Sequence, residues 1–178
     1  YDLPQTKRIH VTWVARCALF LVDRLVKKGI IVNRPLVLAG ALLHDIDKHA
    51  PRLPGEHHPD TAVRLLGEAD MREVADLVRT HPLHAILSPD FCPTSWEEKV
   101  LYLADKMVKQ DVIGVDQRFK LWNEEHMPPA AQSVLDASYP IVKNLEKEIL
   151  GIAGITPSEV AKLVQEEYTS DVLTKEDV

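Results

Sequence analysis

Apolar positions along this chain recur at the three- and four-residue spacing of helices, and no stretch shows the alternation of a strand. Over residues 6–28, His10, Val14, Cys17, Leu21 and Leu25 share one face, and Lys27-Lys28-Gly29 supplies the cations and glycine of a helix end. A second helix is predicted over about 34–46. Asn33 suits its cap, Pro35 suits its first turn, and Leu36–Leu43 is so uniformly apolar that it reads as a buried helix. It is too short to span a membrane. Residues 49–57, punctuated by Pro51, Pro54 and Gly55, form a loop. Helix three starts near His58-Pro59-Asp60 and turns Ala62, Leu65 and Leu66 inward. Asp70-Met-Arg-Glu73 has the capping-box pattern for helix four, on which Val74, Leu77, Val78 and His81 share a face until Pro82. Residues 82–94 read as loop. Ser95-Trp-Glu-Glu98 then opens helix five over 96–109, with Leu101, Asp105 and Val108 inward.

Helix continues beyond. Residues 115–125 form a short one, and Met127-Pro-Pro129 interrupts it. A long helix over about 129–151 has Val134, Ile141, Leu145 and Ile149 as its apolar positions and a kink at Pro140, with Gly151 and Gly154 ending it. Thr156-Pro-Ser-Glu159 is a third capping box, for a helix reaching about Tyr168. The predicted fold is all-α, a bundle of about seven to eight helices in one domain over 1–178. Its core spans about 6–110, a helical extension about 111–170, and a polar, frayed tail follows.

Composition narrows the class. With 178 residues, 46% hydrophobic and 27% charged, the chain suits one globular domain. Cys17 and Cys92 are far apart and lack zinc-ribbon spacing. Cys17 sits on an apolar stripe as a core thiol, which suits a reducing cytosol. With no signal-peptide pattern, a cytoplasmic location is expected, and because Tyr1 is not Met, a few residues are expected to precede it. A net charge of −6 speaks against nucleic-acid polymers as partners. A small anionic substrate in a local basic pocket remains compatible with it. Of eight histidines, only His126 lies in the second half.

Those histidines carry the chemistry. His10, His44 with its neighbour Asp45, His58, His81 and Asp105 each fall on or at the end of an apolar stripe, where a polar group is costly unless compensated. Singly, each reads as a hydrogen-bonded core residue or an ion-pair partner. Together, a mixed histidine–carboxylate metal site is the simplest compensation. His57 competes with His58, but His58 keeps phase with Ala62 and Leu65. His49 and His84, just beyond helix ends, read equally as site contacts or exposed loop residues.

In order and spacing, His10, the pair in Leu-Leu-His44-Asp45-Ile-Asp-Lys48, and Asp105 in Leu-Ala-Asp-Lys resemble the HD-domain metal-dependent phosphohydrolase superfamily, over roughly residues 10–106. The resemblance implies that His10, His44, Asp45 and Asp105 hold a first metal. Asp45 would bridge to a second, which His58 and His81 hold in the compact dinuclear members. Two departures stand out. Asp47 occupies a position where many members have glycine, as a surface carboxylate or a partner for metal-bound water. The Gly-Tyr-Pro motif of the cyclic-di-GMP branch is missing. Nitrogen and carboxylate ligands without thiolates suit Fe, Mn, Co, Ni or Zn, and Mg less well, so two divalent ions are the expected cofactors.

The implied function is hydrolysis of a phosphoester or phosphoanhydride in a small nucleotide-like substrate by metal-bound hydroxide, with Asp45 and Lys48 as catalytic residues. Lys48 is the first candidate for the substrate phosphate. Arg52, His84, Lys106 and Arg118 are weaker ones, since a solvated surface role is their default. A diadenosine-polyphosphate hydrolase of the same family and a non-catalytic ligand-sensing or interaction module are the alternatives. Residues 107–178 are left to cover the site or form a homodimer, and no membrane partner is expected.

Overall fold

Helix α1 (Gln5–Lys27) is the post against which the others pack. In the computed structural model, which describes residues 3–125 and 128–168, it touches α2 (Arg34–Leu43), α5 (Trp96–Met107), α7 (Pro129–Ala153) and α8 (Pro157–Tyr168). Its first half has the predicted single buried face. Its second half is buried all round, from Cys17 to Val22, because α5 and the C-terminal helices enclose it. The helix ends at Gly29 (φ 86°), where the amide N–H groups of Gly29 and Ile30 donate to the carbonyls of Val26 and Leu25.

The all-α class holds. Helices α3 (Asp60–Glu68), α4 (Arg72–Arg79) and α6 (Val115–Glu124) complete the set, with short 3₁₀ turns over Ile46–His49 and Leu83–Leu87. Among the described residues there is no strand, only an isolated bridge between Val108 and Val112. No described helix is long and apolar enough to cross a membrane. The predicted frayed tail and His126 lie outside the described residues.

Several local expectations need correcting. Helix α2 ends at Leu43 rather than near 46, and it is not buried on every side. Only the Val37, Gly40, Ala41 stripe is closed off. Leu36, Leu38, Leu42 and Leu43 stay half-buried, because α2 lies between two separate cores and fills an edge of each. The main core runs from Val14 to Val164, and the smaller one lies between α3 and α4 around Leu66 and Val78. The Asp70–Glu73 capping box does not form: Asp70 adopts φ 58°, and Met71 caps α4 without a side-chain bond. The Ser95–Glu98 box forms in full. In α7 the buried face is Leu135, Ser138, Val142, Leu145 and Ile149, with Ile141 exposed, and Gly151 lies inside the helix, which ends at Gly154 (φ 72°). The stretch 82–94 contains the second 3₁₀ turn, on which α7 packs.

Two glycines should respond in opposite directions to substitution. A Cβ on Gly40 would lie 2.5 Å from Leu77 Cδ2 and 3.3 Å from Leu101 Cδ2, because α2 crosses α4 and α5 there. Gly67, in α3, has open space around it. Gly40→Val is expected to lower stability by about 2–3 kcal/mol through overpacking. Gly67→Ala should raise it by about 0.5–1 kcal/mol through helix propensity. Urea denaturation of the two variants checks both signs.

Candidate metal centre

The chain between α2 and α3 is shaped to turn its polar side chains inward. At the end of α2 the His44 ring donates from Nδ1 to the Ala41 carbonyl at 2.8 Å. After Asp45 the chain tightens into the 3₁₀ turn, which buries Asp45 and Asp47 together and leaves Lys48 at the edge. The following loop is tied down by Glu56. Its carboxylate accepts from the Leu53 amide (2.8 Å), Thr61 Oγ1 (2.7 Å) and Arg64 Nε (2.5 Å), and these bonds fix the approach to α3, where His58 sits.

All four histidines are set in the same way. Besides His44, the Nδ1 of His10 faces the Lys109 carbonyl at 2.8 Å and that of His81 faces the Val78 carbonyl at 2.6 Å. His58 Nδ1 meets both oxygens of Asp47, at 2.8 and 3.0 Å. Carbonyls only accept, so Nδ1 carries the proton in the three rings that face one, and their Nε2 atoms are left to the centre. His10 Nε2 and His44 Nε2 lie 3.3 Å apart, close to the roughly 3.4 Å between two nitrogens on one tetrahedral ion at about 2.1 Å. Asp105 Oδ1 adjoins both, at 3.1 and 3.5 Å. The ring of His81 stands edge-on to those of His44 and His58, with centroids 5.0 and 4.7 Å away, and its Nε2 is buried with no partner.

Two ligand groups result, His10–His44–Asp45 and Asp45–His58–His81, with the donor atoms of each within 4.8 Å of one another. Asp45 belongs to both. Nitrogen and carboxylate donors with an orphaned buried Nε2 fit a divalent ion of the Mn–Zn series, and the shared carboxylate fits a pair. The electrostatics of the rings differ: burial works to lower His44, but its bond to Asp105 and the charges of Asp105 and Asp45 outweigh that and raise it above the usual imidazole range. Burial pushes His81 far below the usual imidazole range, helped by His44, Lys106 and His58, so the ring stays neutral. Burial works to raise Asp105, yet Lys106 and the two adjoining imidazoles hold it well below the ordinary carboxylate range. Burial likewise opposes the charged form of Asp45, and His44, Lys48 and Lys7 reverse that.

Comparison with known proteins yields no match to this chain among family models, curated proteins or solved structures.

The remaining candidates divide. Lys48, His84, Lys106 and Arg118 line one cavity of about 480 Å³ that opens onto the centre. Lys106 is no surface residue: it is 2% exposed, and its Nζ donates to Asp105 Oδ2 at 2.5 Å and to the His81 carbonyl at 2.6 Å. It thus ties the element carrying one ligand to the element carrying another. Arg52, His49 and His57 are exposed and do not line the cavity. His58, not His57, joins the cluster. Asp47 is fully buried against His58, so it is not a surface carboxylate. Sequence reasoning passed over Lys7, whose Nζ lies 2.9 Å from Asp45 Oδ2. Its place one helical turn before His10 was the available signal.

Two predictions follow from this geometry. Asp47 orients His58 and strengthens it as a donor, so Asp47→Asn should weaken the second equivalent of Mn²⁺ about tenfold while leaving the first unchanged in calorimetric titration. Arg64, the Leu53 amide and Thr61 hold Glu56 down at about 2, against an ordinary 4.5. Its stabilisation is complete above the ordinary value and is lost as the pH falls through about 2. The gap in melting temperature between the parent and Glu56→Gln should therefore be constant near neutrality and close toward pH 2.

Proposed function

We propose that this chain is a metal-dependent phosphohydrolase of the HD-domain type, acting on a phosphoester or phosphoanhydride of a small nucleotide-like substrate. The observation that supports it most is the set of four Nε2-presenting imidazoles around a carboxylate shared by both ligand groups; three of them, His10, His58 and His81, lie with that carboxylate on the wall of a cavity that also carries Lys48 and Arg118. A cavity of about 480 Å³ is within the size range of small-molecule sites. When bound, a pair of divalent ions supplies Lewis acidity toward a phosphoryl oxygen and lowers the pKa of water.

The chain's own residues do the rest. Asp45 reaches both ligand groups and sets their spacing. His10 and His44 complete the first group, with Asp105 Oδ1 beside both rings, and His58 and His81 complete the second. Lys48, whose Nζ lies 3.8 Å from Asp45 Oδ1, would hold a phosphoryl oxygen beside the ligand groups and offset charge that grows as the bond breaks. Lys7 flanks Asp45 on the side of α1. Among the described residues that line the cavity, Thr6 is the one hydroxyl side chain and none is Cys, which favours direct attack by water over a Ser- or Cys-linked intermediate.

Elemental analysis of the purified chain, paired with hydrolysis assays over a nucleotide panel, tests this reading. About two transition-metal equivalents and phosphate release are the expected results. Asp45→Ala should abolish metal uptake and turnover while the helical circular-dichroism signal persists, and turnover in that variant would sink the mechanism. Lys48→Ala should leave metal content unchanged and lower kcat/KM by about 10–100-fold, the equivalent of one lost charged hydrogen bond.

A further inference from the structure

The far wall of the cavity comes from α6, beyond the residues that carry the ligand pattern, and it contains the cation Arg118. Arg118 lies with its guanidinium carbon 4.3 Å from the centroid of Trp122, one turn further along the helix. That ring is braced in turn by the buried Phe119, edge to face at 5.2 Å. Arg118 Nε is closed off from solvent and has no hydrogen-bond partner among the described residues. A guanidinium seated over an aromatic ring is restricted in its motion, and its planar fork of donors matches two oxygens of a phosphate. Lys109, whose carbonyl orients His10, lines the same cavity. Arg118 shares the cavity with Asp45 and Asp105 of the cluster and with Glu125.

We propose that Arg118, braced by Trp122, is a phosphate-binding subsite of this cavity, taking two oxygens of the ligand's phosphate through its planar fork. The proposal rests on the hydrolase reading only for the identity of the anion. It assigns to α6 a role in substrate recognition in addition to its packing on α5 and α7.

A second Arg–Trp pair provides the control. Arg16 lies 4.7 Å from the centroid of Trp13 and also has a buried, unpartnered Nε, but it lines a shallow depression on α1 away from the ligand cluster.

The test is calorimetric titration of inorganic phosphate into the full chain, both Mn²⁺-loaded and chelator-stripped, with Mn²⁺ stoichiometry measured separately. Arg118→Ala is expected to weaken phosphate binding at least about tenfold with Mn²⁺ stoichiometry and melting temperature unchanged. Arg118→Lys, which keeps charge but not the fork, should recover only part of it, and Arg16→Ala should bind like the parent. Equal phosphate affinity in Arg118→Ala and the parent would overturn the subsite while leaving the metal reading intact. Should Arg118→Ala fail to fold, Arg118→Lys decides: parental affinity there removes the fork from the account. A chain that takes up no Mn²⁺ yet binds phosphate through Arg118 would uphold the subsite and sink the hydrolase reading.

Discussion

Keeping four imidazoles and two carboxylates out of water in the middle of a helical bundle is the constraint on which this structure depends. Such groups are tolerated in low dielectric only when every lone pair and proton has a partner. The chain meets that demand at the Nδ1 atoms from outside the cluster, and leaves the buried Nε2 of His81 without a partner among the described residues. Three ring Nδ1 atoms are held by main-chain carbonyls at Ala41, Val78 and Lys109, and the fourth by the Asp47 carboxylate. Backbone carbonyls in the last turn of a helix are not all used by the helix itself, so α2 and α4 can each turn a terminal carbonyl, Ala41 and Val78, toward a ring. The helix ends are thus the frame of the site.

That frame explains the unusual packing of α1. It brings His10 to the cluster at one end, while its other half, Cys17 to Val22, is enclosed on all sides. Burial pushes the Cys17 thiol up to about 12, which leaves it an unreactive core group. A helix so fixed cannot tilt without disturbing the ligand geometry. Lys106 serves a similar end from α5: a fully enclosed ammonium is costly, and here it is compensated by the Asp105 carboxylate and the His81 carbonyl, on two elements that must stay in register. Apolar packing of equal volume would not discriminate that register.

The cavity differs in charge from the acidic chain that forms it. Net charge is −6, yet Lys7, Lys48, Lys106, Lys109 and Arg118 face the cavity against Asp45, Asp105 and Glu125. Local field, not net charge, decides what approaches a concave site. The two layers contribute different parts of it. The ligand-bearing helices supply the carboxylates with their paired lysines, and α6 supplies Arg118 on its aromatic support.

Periodicity alone was enough to determine an all-α chain, the identity of most helices, and the six polar residues that interrupt apolar stripes, because burial of a helix face is a local property of spacing. Capping chemistry was legible at Ser95, where both halves of the box form, and misleading at Asp70, where the tight α3–α4 connection puts the backbone at φ 58°. The phase of α7 was misread because neighbouring apolar positions such as Ile141 and Val142 differ only in which way the helix is turned against α1. What only the tertiary structure decided is the second layer of the site. Asp47 became the partner of His58, Lys106 a buried link, Lys7 a neighbour of Asp45, and Arg118 part of the wall, while Arg52 stayed in solvent. Those roles depend on where a side chain ends after helices cross, and contacts between residues as distant as His10 and Lys109 leave no trace in local periodicity.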